Sequence, residues 1–405
     1  MAVQNDIDRL VSIKGFTVGH VVSDGDELRI RVERRERIYR CWCGQRYRTH
    51  YDRRERAVRD LSFGKYSHVL ILFDQCRVRC STCGVRTERL DWVAPRAGYS
   101  NRLAEVVAEA CRELRSIRSI AHQYRLHWSV VKKIDREALQ RRLPDIGETN
   151  ARLLMIDEFA IKSGQNYGTL VADALTGEAL FVGYGRKTEA LAPFFEALGP
   201  QKCGRIQAIA MDAWRAYARA KDRYCPQAAM VYDQFHLMKI YSRYVLDRVR
   251  IDSYQKASQE HRPVIKGTKY LLLKNRENLS DQTDEKARLH DVLAVNQQLN
   301  TVYVLKEDLK QIWRYKRRAW AEKWLDSWIQ RARESGIKPL IWFTKKLIRH
   351  RESILAHCTY PLATSKIEGM NNKVKLIKRI AFGFKDFDYF ALKIRGAFRP
   401  AHTSA

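Results

Sequence analysis

The 405-residue sequence lacks any apolar run of the roughly 18 residues that a membrane-spanning helix needs. Its first ten residues carry Asp6 and Asp8, and they lack the apolar core of a secretion signal. These absences predict a cytoplasmic protein without a membrane partner. Cysteine is odd in number, with nine residues, so without a secretion signal we expect thiols or metal ligands and not disulfides.

Acidic residues are also few, with 46 Asp and Glu against 75 Lys and Arg. The resulting formal charge of +29 predicts a polyanionic partner, for which nucleic acid is the best candidate. An anionic membrane surface fits less well because no basic amphipathic segment stands alone, and a merely basic soluble protein is the remaining alternative. The hydrophobic fraction of 45% excludes a disordered chain, and the length allows about two to four domains.

Three apolar runs of this sequence end in carboxylates, at Asp157, Asp212 and Asp233. Each run predicts a buried strand with an acid at its carboxyl end, where open α/β sheets place ligands and metals. Oxygen ligands of this kind suit Mg²⁺. A fourth acid, Glu368, lies far downstream, and we predict that these acids meet around catalytic metal ions.

The order of the predicted elements around these acids indicates the fold of the core. Three strand patterns come first and are followed by a helix over Lys187 to Leu198, a fourth strand, a helix from Trp214 and a fifth strand. The order β-β-β-α-β-α-β is the RNase H-like arrangement, in which the first and fourth strands lie side by side. Asp157 and Asp212 would then be neighbours.

Two cysteine pairs near the N-terminus predict a structural zinc site. Cys41 and Cys43 form the first pair, Cys80 and Cys83 form the second, and a glycine follows each pair. Two such pairs can complete a tetrahedral Zn²⁺ site, with the glycines allowing tight turns. Cys76 is a spare. The alternative is a set of small, buried, apolar cysteines.

Arginines and tyrosines alternate in the span between these pairs. This composition fits contacts with phosphates and bases, and a solvated loop is the alternative. The candidate DNA-binding residues here are Arg46, Arg48, Arg53 and Arg54, with Tyr47 and Tyr51 interleaved.

A helix-turn-helix pattern follows a linker at residues 95–100. Helical spacing predicts one helix over residues 101–114, a short helix over 117–124 and a third that starts at Trp128. The third helix would reach the major groove of DNA, and a plain helical linker domain is the alternative. The residues that it would offer to DNA are Trp128, Ser129, Lys132 and Lys133.

Residues from about 240 to 355 break the strand pattern and predict helices inserted into the core. Proline occurs there only at Pro263 and Pro339. Trp320, Trp324 and Trp328 recur every four residues on one helix face, a spacing that is more typical of packing than of base stacking.

One last helix is predicted to start near Thr364. Its spacing separates an apolar stripe (Ile367, Met370, Val374, Ile377, Ala381) from a polar face, which consists of Glu368, Asn372, Lys375 and Arg379. An acid followed by an amide and cations suits a path for a phosphodiester backbone. A surface helix with a salt-bridged glutamate is the alternative.

The segments around Asp157, Asp212, Asp233 and Glu368, together with Ile380 to Phe384, resemble the DDE transposases of bacterial insertion sequences. The resemblance is strongest to the ISL3 family and covers nearly the whole chain. It implies a multidomain α+β protein with five parts. These are an N-terminal zinc ribbon (1–95), a helix-turn-helix (96–147), the first part of an RNase H-like α/β core (148–238), an all-α insertion (239–358) and the glutamate helix with a tail (359–405).

The resemblance also implies roles for single residues. Asp157 matches the first aspartate of the family, Asp212 the second and Glu368 the glutamate, while Asp233 and His236 are similar to an accessory Asp/Cys-x-x-His motif. The family usually has Cys-x-x-Cys at both ends of its zinc finger, whereas Arg40 stands here where the first cysteine is expected.

The resemblance finally implies an enzyme that binds double-stranded DNA at transposon ends and at the target. It would cleave and transfer strands with two Mg²⁺ or Mn²⁺ ions per active site, act as a homo-oligomer and associate with the bacterial nucleoid. Two other functions stay open: a DNA-binding regulator with an inactive core, and a nuclease of the same fold that never joins ends. RNA processing is more distant. Asp233 competes with Asp212 for the second-aspartate role, and His236 is either functional or structural.

Overall fold

The computed structural model describes residues 11–162, 164, 166–212, 215–274, 276–280, 283–362 and 365–399. The predicted helix starts at Trp214 and Thr364 lie outside these residues. The chain divides into two units, residues 1–142 and 143–405. No helix of the described chain is long and apolar enough to cross a membrane.

A five-stranded sheet forms the base of the first unit. Its strands are β1 (Phe16–Asp24), β2 (Glu27–Arg34), β5 (Asp52–Asp60), β6 (His68–Cys80) and β7 (Gly84–Thr87). Their order is β1-β2-β6-β5 with β7 also paired to β6, and only β2 and β6 run parallel. Two short strands, β3 (Tyr39–Arg40) and β4 (Arg46–Tyr47), form a separate hairpin. Residues 52–60 of the arginine-rich span are therefore a strand and not a loop.

The three helices that the helical spacing predicts are present, and they pack on this sheet. They are α1 (Asn101–Ala110), α2 (Ile117–Gln123) and α3 (Trp128–Arg142). The hydroxyls of Ser100 and Ser116 cap the first two by accepting hydrogen bonds from backbone amides, which satisfies donors that a helix start leaves open. Helix α1 ends at Ala110, four residues before the predicted end, and Leu114 is exposed.

The sheet and these helices share one apolar core, although the sequence analysis assigned residues 1–95 and 96–147 to separate domains. Ile71 and Phe73 of the sheet belong to the same buried cluster as Val107, Ile120 and Ile134 of the helices. A partly buried ion pair between Asp60 of β5 and Arg102 of α1 adds a polar link. The first unit is thus stabilised by contacts that join both predicted parts.

A second five-stranded sheet organises the second unit. Its strands are β8 (Leu153–Ala160), β9 (Tyr167–Asp173), β10 (Ala179–Tyr184), β11 (Ala208–Met211) and β12 (Ala229–Tyr232). The order is β10-β9-β8-β11-β12, with β8, β11 and β12 parallel and the other pairs antiparallel. The first and fourth strands of this sheet lie side by side, as predicted.

Helices cover both faces of this sheet. One face packs on α4 (Ala192–Leu198), α5 (Pro200–Cys203) and α6 (Arg215–Tyr224), and the other packs on α16 (Ser365–Ile380) and α17 (Phe387–Ala397). The predicted helix from Lys187 begins as a separate 3₁₀ turn, Thr188–Ala190, before α4.

All elements of the described chain between β12 and α16 are helical, as the missing strand pattern predicts. The α-helices are α7 (Gln234–Tyr241), α8 (Asp247–Lys256), α9 (Arg262–Ile265), α10 (Lys269–Leu273), α11 (Glu285–Ala294), α12 (Gln297–Lys310), α13 (Arg318–Glu334), α14 (Lys338–Arg349) and α15 (Arg351–Leu355). Along α13, Trp320 is exposed, Trp324 is half-buried, and Trp328 is fully buried and donates from Nε1 to the carbonyl of Leu305 at 2.9 Å. The tryptophan row is therefore packed at one end only.

This gradient predicts that Trp328→Ala lowers the free energy of unfolding by about 3–5 kcal/mol, because a buried indole leaves a cavity and an unmade hydrogen bond. Trp320→Ala is the matched control on the same face, and its effect should stay within about 0.5 kcal/mol. Urea unfolding followed by circular dichroism measures both. Equal effects of the two substitutions would show that Trp328 does not anchor the helical insertion.

Candidate functional site

Three aspartates lie at the same level on three neighbouring parallel strands. Met211 pairs with a residue of β8 on one side and with a residue of β12 on the other, and in each of the three strands the next residue is an acid. Asp157, Asp212 and Asp233 therefore stand side by side at the carboxyl edge of the sheet, with neighbouring backbones about 4.8 Å apart. The register places together the three acids that the sequence analysis selected from strand ends.

These three acids also share one face of the sheet. Side chains alternate between faces along a strand, and the residues two positions earlier (Met155, Ala210 and Val231) all belong to the apolar cluster on the side of α16. The carboxylates therefore point toward helix α16, which carries Glu368.

Asp157 is held by two donors. Asn371 Nδ2 donates to Asp157 Oδ2 at 2.6 Å, and the backbone amide of Glu158 donates to Oδ1 at 2.8 Å. Burial raises the pKa of the Asp157 carboxyl to about 6, and the charge of His236 opposes this effect in part. A buried carboxylate beside other acids is a site that a cation would stabilise.

Both carboxylate oxygens of Asp233 accept hydrogen bonds from residues of α7, the helix that follows it. One carboxylate oxygen caps α7 by accepting from the amide of Phe235 at 2.8 Å, and the other accepts from His236 Nδ1 at 2.6 Å. The hydrogen bond to Asp233 raises the pKa of His236, and the nearby carboxylates of Asp212 and Asp157 raise it further.

The Asp212 side chain has no hydrogen-bond partner among the residues that the structure describes.

Helix α16 brings Glu368 to this edge of the sheet. Lys366 Nζ donates to the carbonyl of Ala174 at 3.2 Å, and Lys378 Nζ donates to the carbonyl of Ala160 at 2.8 Å, so the helix is fixed near both ends. Glu368 lies three residues before Asn371, which places it one turn away on the same side of the helix. It also lines a cavity of about 740 Å³ together with Phe235.

The two faces of α16 match the predicted stripes, except that the helix ends at Ile380, before Ala381. Ile367, Met370, Val374 and Ile377 are buried in the sheet-facing cluster, whereas Glu368, Asn372, Lys375 and Arg379 are exposed. No cation of the described chain forms an ion pair with Glu368, so the structure gives no support to a salt-bridged surface glutamate.

Sequence reasoning missed Asn371. Its side chain is 8% exposed, and its Oδ1 is buried without a hydrogen-bond partner in the described chain. The available signal was its position three residues after Glu368, which directs it to the sheet. Asp157, Asp212 and the unpartnered amide oxygen of Asn371 are hard oxygen donors of the kind that Mg²⁺ prefers, although no three ligand atoms of Asp, Glu or His in the described chain lie within 4.8 Å of one another.

The four predicted zinc ligands form one cluster in the first unit. The sulfur atoms of Cys41, Cys43, Cys80 and Cys83 all lie within 4.8 Å of one another, and Cys43 Sγ is 3.5 Å from Cys80 Sγ. A tetrahedral zinc site with bonds of about 2.3 Å separates its sulfurs by about 3.8 Å, so this cluster fits Zn²⁺. Cys41 is fully buried within the cluster despite its unusual spacing, and Cys76 lies outside it.

Two hairpin turns build this cluster. The first connects β3 to β4, where Gly44 has φ +94°, and the second connects β6 to β7, where Gly84 has φ +73°. Residues with side chains rarely adopt this left-handed conformation, so the glycine after each pair is what lets the chain turn back.

The candidate DNA-binding residues of the first unit are mostly exposed. Arg46, Arg48, Arg53, Arg54, Trp128, Ser129 and Lys133 are exposed, whereas Lys132 is half-buried. Trp128 stands at the start of α3 with 53% of its surface accessible, as a helix that enters a groove requires. Arg53 Nη1 lies 3.6 Å from Asp74 Oδ2 on the neighbouring strand.

The cysteine geometry predicts about one zinc ion per purified chain, since four sulfurs complete one tetrahedral site. Cys41→Ser should lose most of this zinc, whereas Cys76→Ala, at a buried cysteine outside the cluster, should keep it. Elemental analysis of the purified proteins measures the ratio of zinc to protein. A Cys41→Ser protein with full zinc would exclude Cys41 as a ligand.

The environment of Asp157 predicts that Asp157→Asn stabilises the metal-free protein at pH 8. Burial raises the pKa from 3.8 to about 6, so the stability associated with this carboxyl is lost as the pH rises from 3.8 to about 6. Two pKa units correspond to about 3 kcal/mol, which the substitution should restore. The Asn371 amide can rotate so that its unpartnered oxygen accepts from the new amide.

The gain should fall to about half at pH 5, where the native carboxyl is largely protonated. Urea unfolding in EDTA at both pH values measures the gain, and Asp222→Asn, at an exposed acid, is the control. A gain of the same size at both pH values would contradict a raised pKa at Asp157.

Comparisons with known proteins identify the family of this chain. A family model described as "Transposase" matches residues 154–394, and one described as "Helix-turn-helix domain of transposase family ISL3" matches residues 88–139. The chain is 39% identical over 362 residues to the transposase for insertion sequence element IS1001 of Bordetella parapertussis, across 88% of this chain and 87% of that protein. It is 28% identical over 404 residues to the transposase for insertion sequence element IS1557 of Mycobacterium tuberculosis, across 89% and 86% of the two chains. With its acids at one sheet edge and its helix-turn-helix, the chain belongs to the ISL3 family of transposases, enzymes that cut and transfer DNA.

Proposed function

We propose that this chain binds the ends of its transposon and catalyses DNA cleavage and strand transfer at Asp157, Asp212 and Glu368. The observation that carries the proposal is the parallel register of β8 and β11, which sets Asp157 beside Asp212. Helix α16 lies over the same edge and contacts Asp157 through Asn371. The strand order and the helices on both faces support an RNase H-like core.

The three proposed catalytic acids would hold up to two Mg²⁺ or Mn²⁺ ions. Ions bound there would activate the attacking oxygen and stabilise the leaving oxygen of an in-line displacement at phosphorus. Asn371 would keep the Asp157 carboxylate oriented, and its unpartnered oxygen would face the same site. No nucleophilic side chain is needed, because the attacking group is water or a DNA hydroxyl.

Asp212 is favoured over Asp233 as the second aspartate. Both oxygens of Asp233 already accept hydrogen bonds, one from the α7 amide and one from His236. Asp233 would instead orient His236, since a hydrogen bond at Nδ1 leaves Nε2 as the ring nitrogen available for a phosphate oxygen. This role makes Asp233 and His236 accessory residues.

DNA would meet three basic surfaces of the chain. Asn372, Lys375 and Arg379 extend along α16 beyond Glu368 and suit the backbone of the strand being cut. In the first unit, α3 would enter a major groove, and the arginines of β4 and β5 would contact phosphates beside a zinc ribbon. Two transposon ends require two catalytic sites, so we propose a homo-oligomer on DNA.

A cleavage assay tests the proposal on a plasmid that carries the encoding locus with its flanking DNA. With Mg²⁺, the chain should cut at two inverted ends, and EDTA should abolish cutting. Asp157→Ala, Asp212→Ala and Glu368→Gln should each lower the cleavage rate by about 1000-fold or more, because a metal ligand supports several kcal/mol of barrier lowering. Each variant should still bind the ends in a gel-shift assay.

Glu334→Gln is the matched control, since Glu334 is an exposed helical glutamate of the same unit. Binding of the ends without cutting would identify a regulator with an inactive core. Cutting without joining of a pre-cut 3′ end would identify a nuclease. Normal cutting by Asp212→Ala, together with loss in Asp233→Ala, would reverse the assignment of the second aspartate.

A further inference from the structure

Phe382 is the most exposed large hydrophobic side chain of the described residues, with 96% of its surface accessible. It follows the last residue of α16 by two positions, at the end of the helix that carries Glu368. A phenyl ring so fully in water forgoes the stabilisation that burial gives. Its position therefore needs an explanation other than packing within this chain.

The backbone at Phe382 is strained as well. Its φ is +53°, in the left-handed region that favours glycine. The amide of Gly383 donates to the carbonyl of Lys378 at 2.9 Å, and the amide of Phe382 donates to that of Arg379 at 3.0 Å. This pattern is a Schellman ending, whose left-handed position is usually glycine and here is phenylalanine.

The strained turn is fixed on its far side. Two residues later, the ring of Phe384 stacks on Phe390 with centroids 4.4 Å apart and also contacts Tyr389 at 5.9 Å. Hydrogen bonds on one side and packing on the other therefore hold the Phe382 ring outward. The exposed ring is a fixed projection from the catalytic unit.

The sequence around this projection is rich in cations. Lys375, Arg379 and Lys385 are exposed on or beside the same helix end, against one exposed acid, Asp388, while Asp386 caps α17. A ring among cations fits a partner with both negative charge and π-faces, and DNA has both. A second copy of this chain fits less well, because it would bring the same cations against these.

We propose that Phe382 inserts against the bases of the DNA held at the acid site and unstacks one base step, an inference that rests on the proposed function. Phe382 lies eleven positions after Asn371, the residue that donates to Asp157. This is about 16 Å of helix, or about five base pairs of DNA. A glycine at this position would relieve the backbone but would also remove the wedge.

Permanganate reactivity of thymines tests this placement on an end duplex mapped by the cleavage assay. The Glu368→Gln background keeps the DNA uncut. We expect reactive thymines about five base pairs from the cut phosphate. Phe382→Ala should return them to the level of free DNA and weaken end binding about 10- to 100-fold, since aromatic stacking is lost. Phe382→Trp should keep the reactivity.

Phe382→Gly separates folding from function. It should raise Tm by about 2–4 °C, because glycine accepts the left-handed turn, and yet lose the thymine reactivity. Tyr270→Ala is the matched control, since Tyr270 is 77% exposed in the helical insertion and should change neither reactivity nor binding.

The outcomes distinguish this inference from the function on which it rests. End binding and cutting with unchanged thymine reactivity in Phe382→Ala would overturn the wedge and leave the proposed function intact. A change of oligomeric state in Phe382→Ala, with thymine reactivity unaltered, would assign the ring to a second copy and also overturn it. Failure of the unsubstituted chain to bind any end would overturn both.

Discussion

The parallel register of three strands is the constraint on which the catalytic unit depends. Because β11 pairs with β8 and with β12 in step, three aspartates distant in sequence are brought to one level and one face. The backbone fixes this placement through its hydrogen bonds, so the carboxylates stay together although like charges repel. The hydrogen bonds and charges around these carboxylates act on groups that the backbone already holds close together.

Neighbouring groups stabilise the closely spaced carboxylates by different hydrogen bonds. Asp233 accepts hydrogen bonds from the Phe235 amide and from His236. Asp157 accepts one from Asn371, and its pKa is nevertheless raised to about 6. The apolar packing of α16 holds Asn371 and Glu368 at this edge. Stability is thus given up locally at the place where a cation would restore it, as is usual for functional sites.

The same conflict between local preference and structure occurs at two other places. Four cysteine sulfurs converge at the tips of two hairpins, an arrangement that a bound metal would stabilise, and a phenylalanine occupies a glycine-type turn while fully exposed. All three places break a rule of local consistency within a chain whose strands and helices otherwise follow their sequence patterns. In the proposed function each of these places binds a partner: the acids bind divalent cations, the cysteines bind zinc, and the phenylalanine contacts DNA.

The sequence by itself determined the strands of the second sheet, the three helices of the first unit, the paired cysteines and the two stripes of α16, since these follow from local periodicity and spacing. It also selected Asp157, Asp212 and Asp233 as strand-end acids. Only the tertiary structure decided that the first sheet shares one core with α1, α2 and α3, that Cys41 joins the cysteine cluster, and that Asn371 reaches Asp157. These facts depend on which surfaces meet across long stretches of chain, and local periodicity carries no information about that.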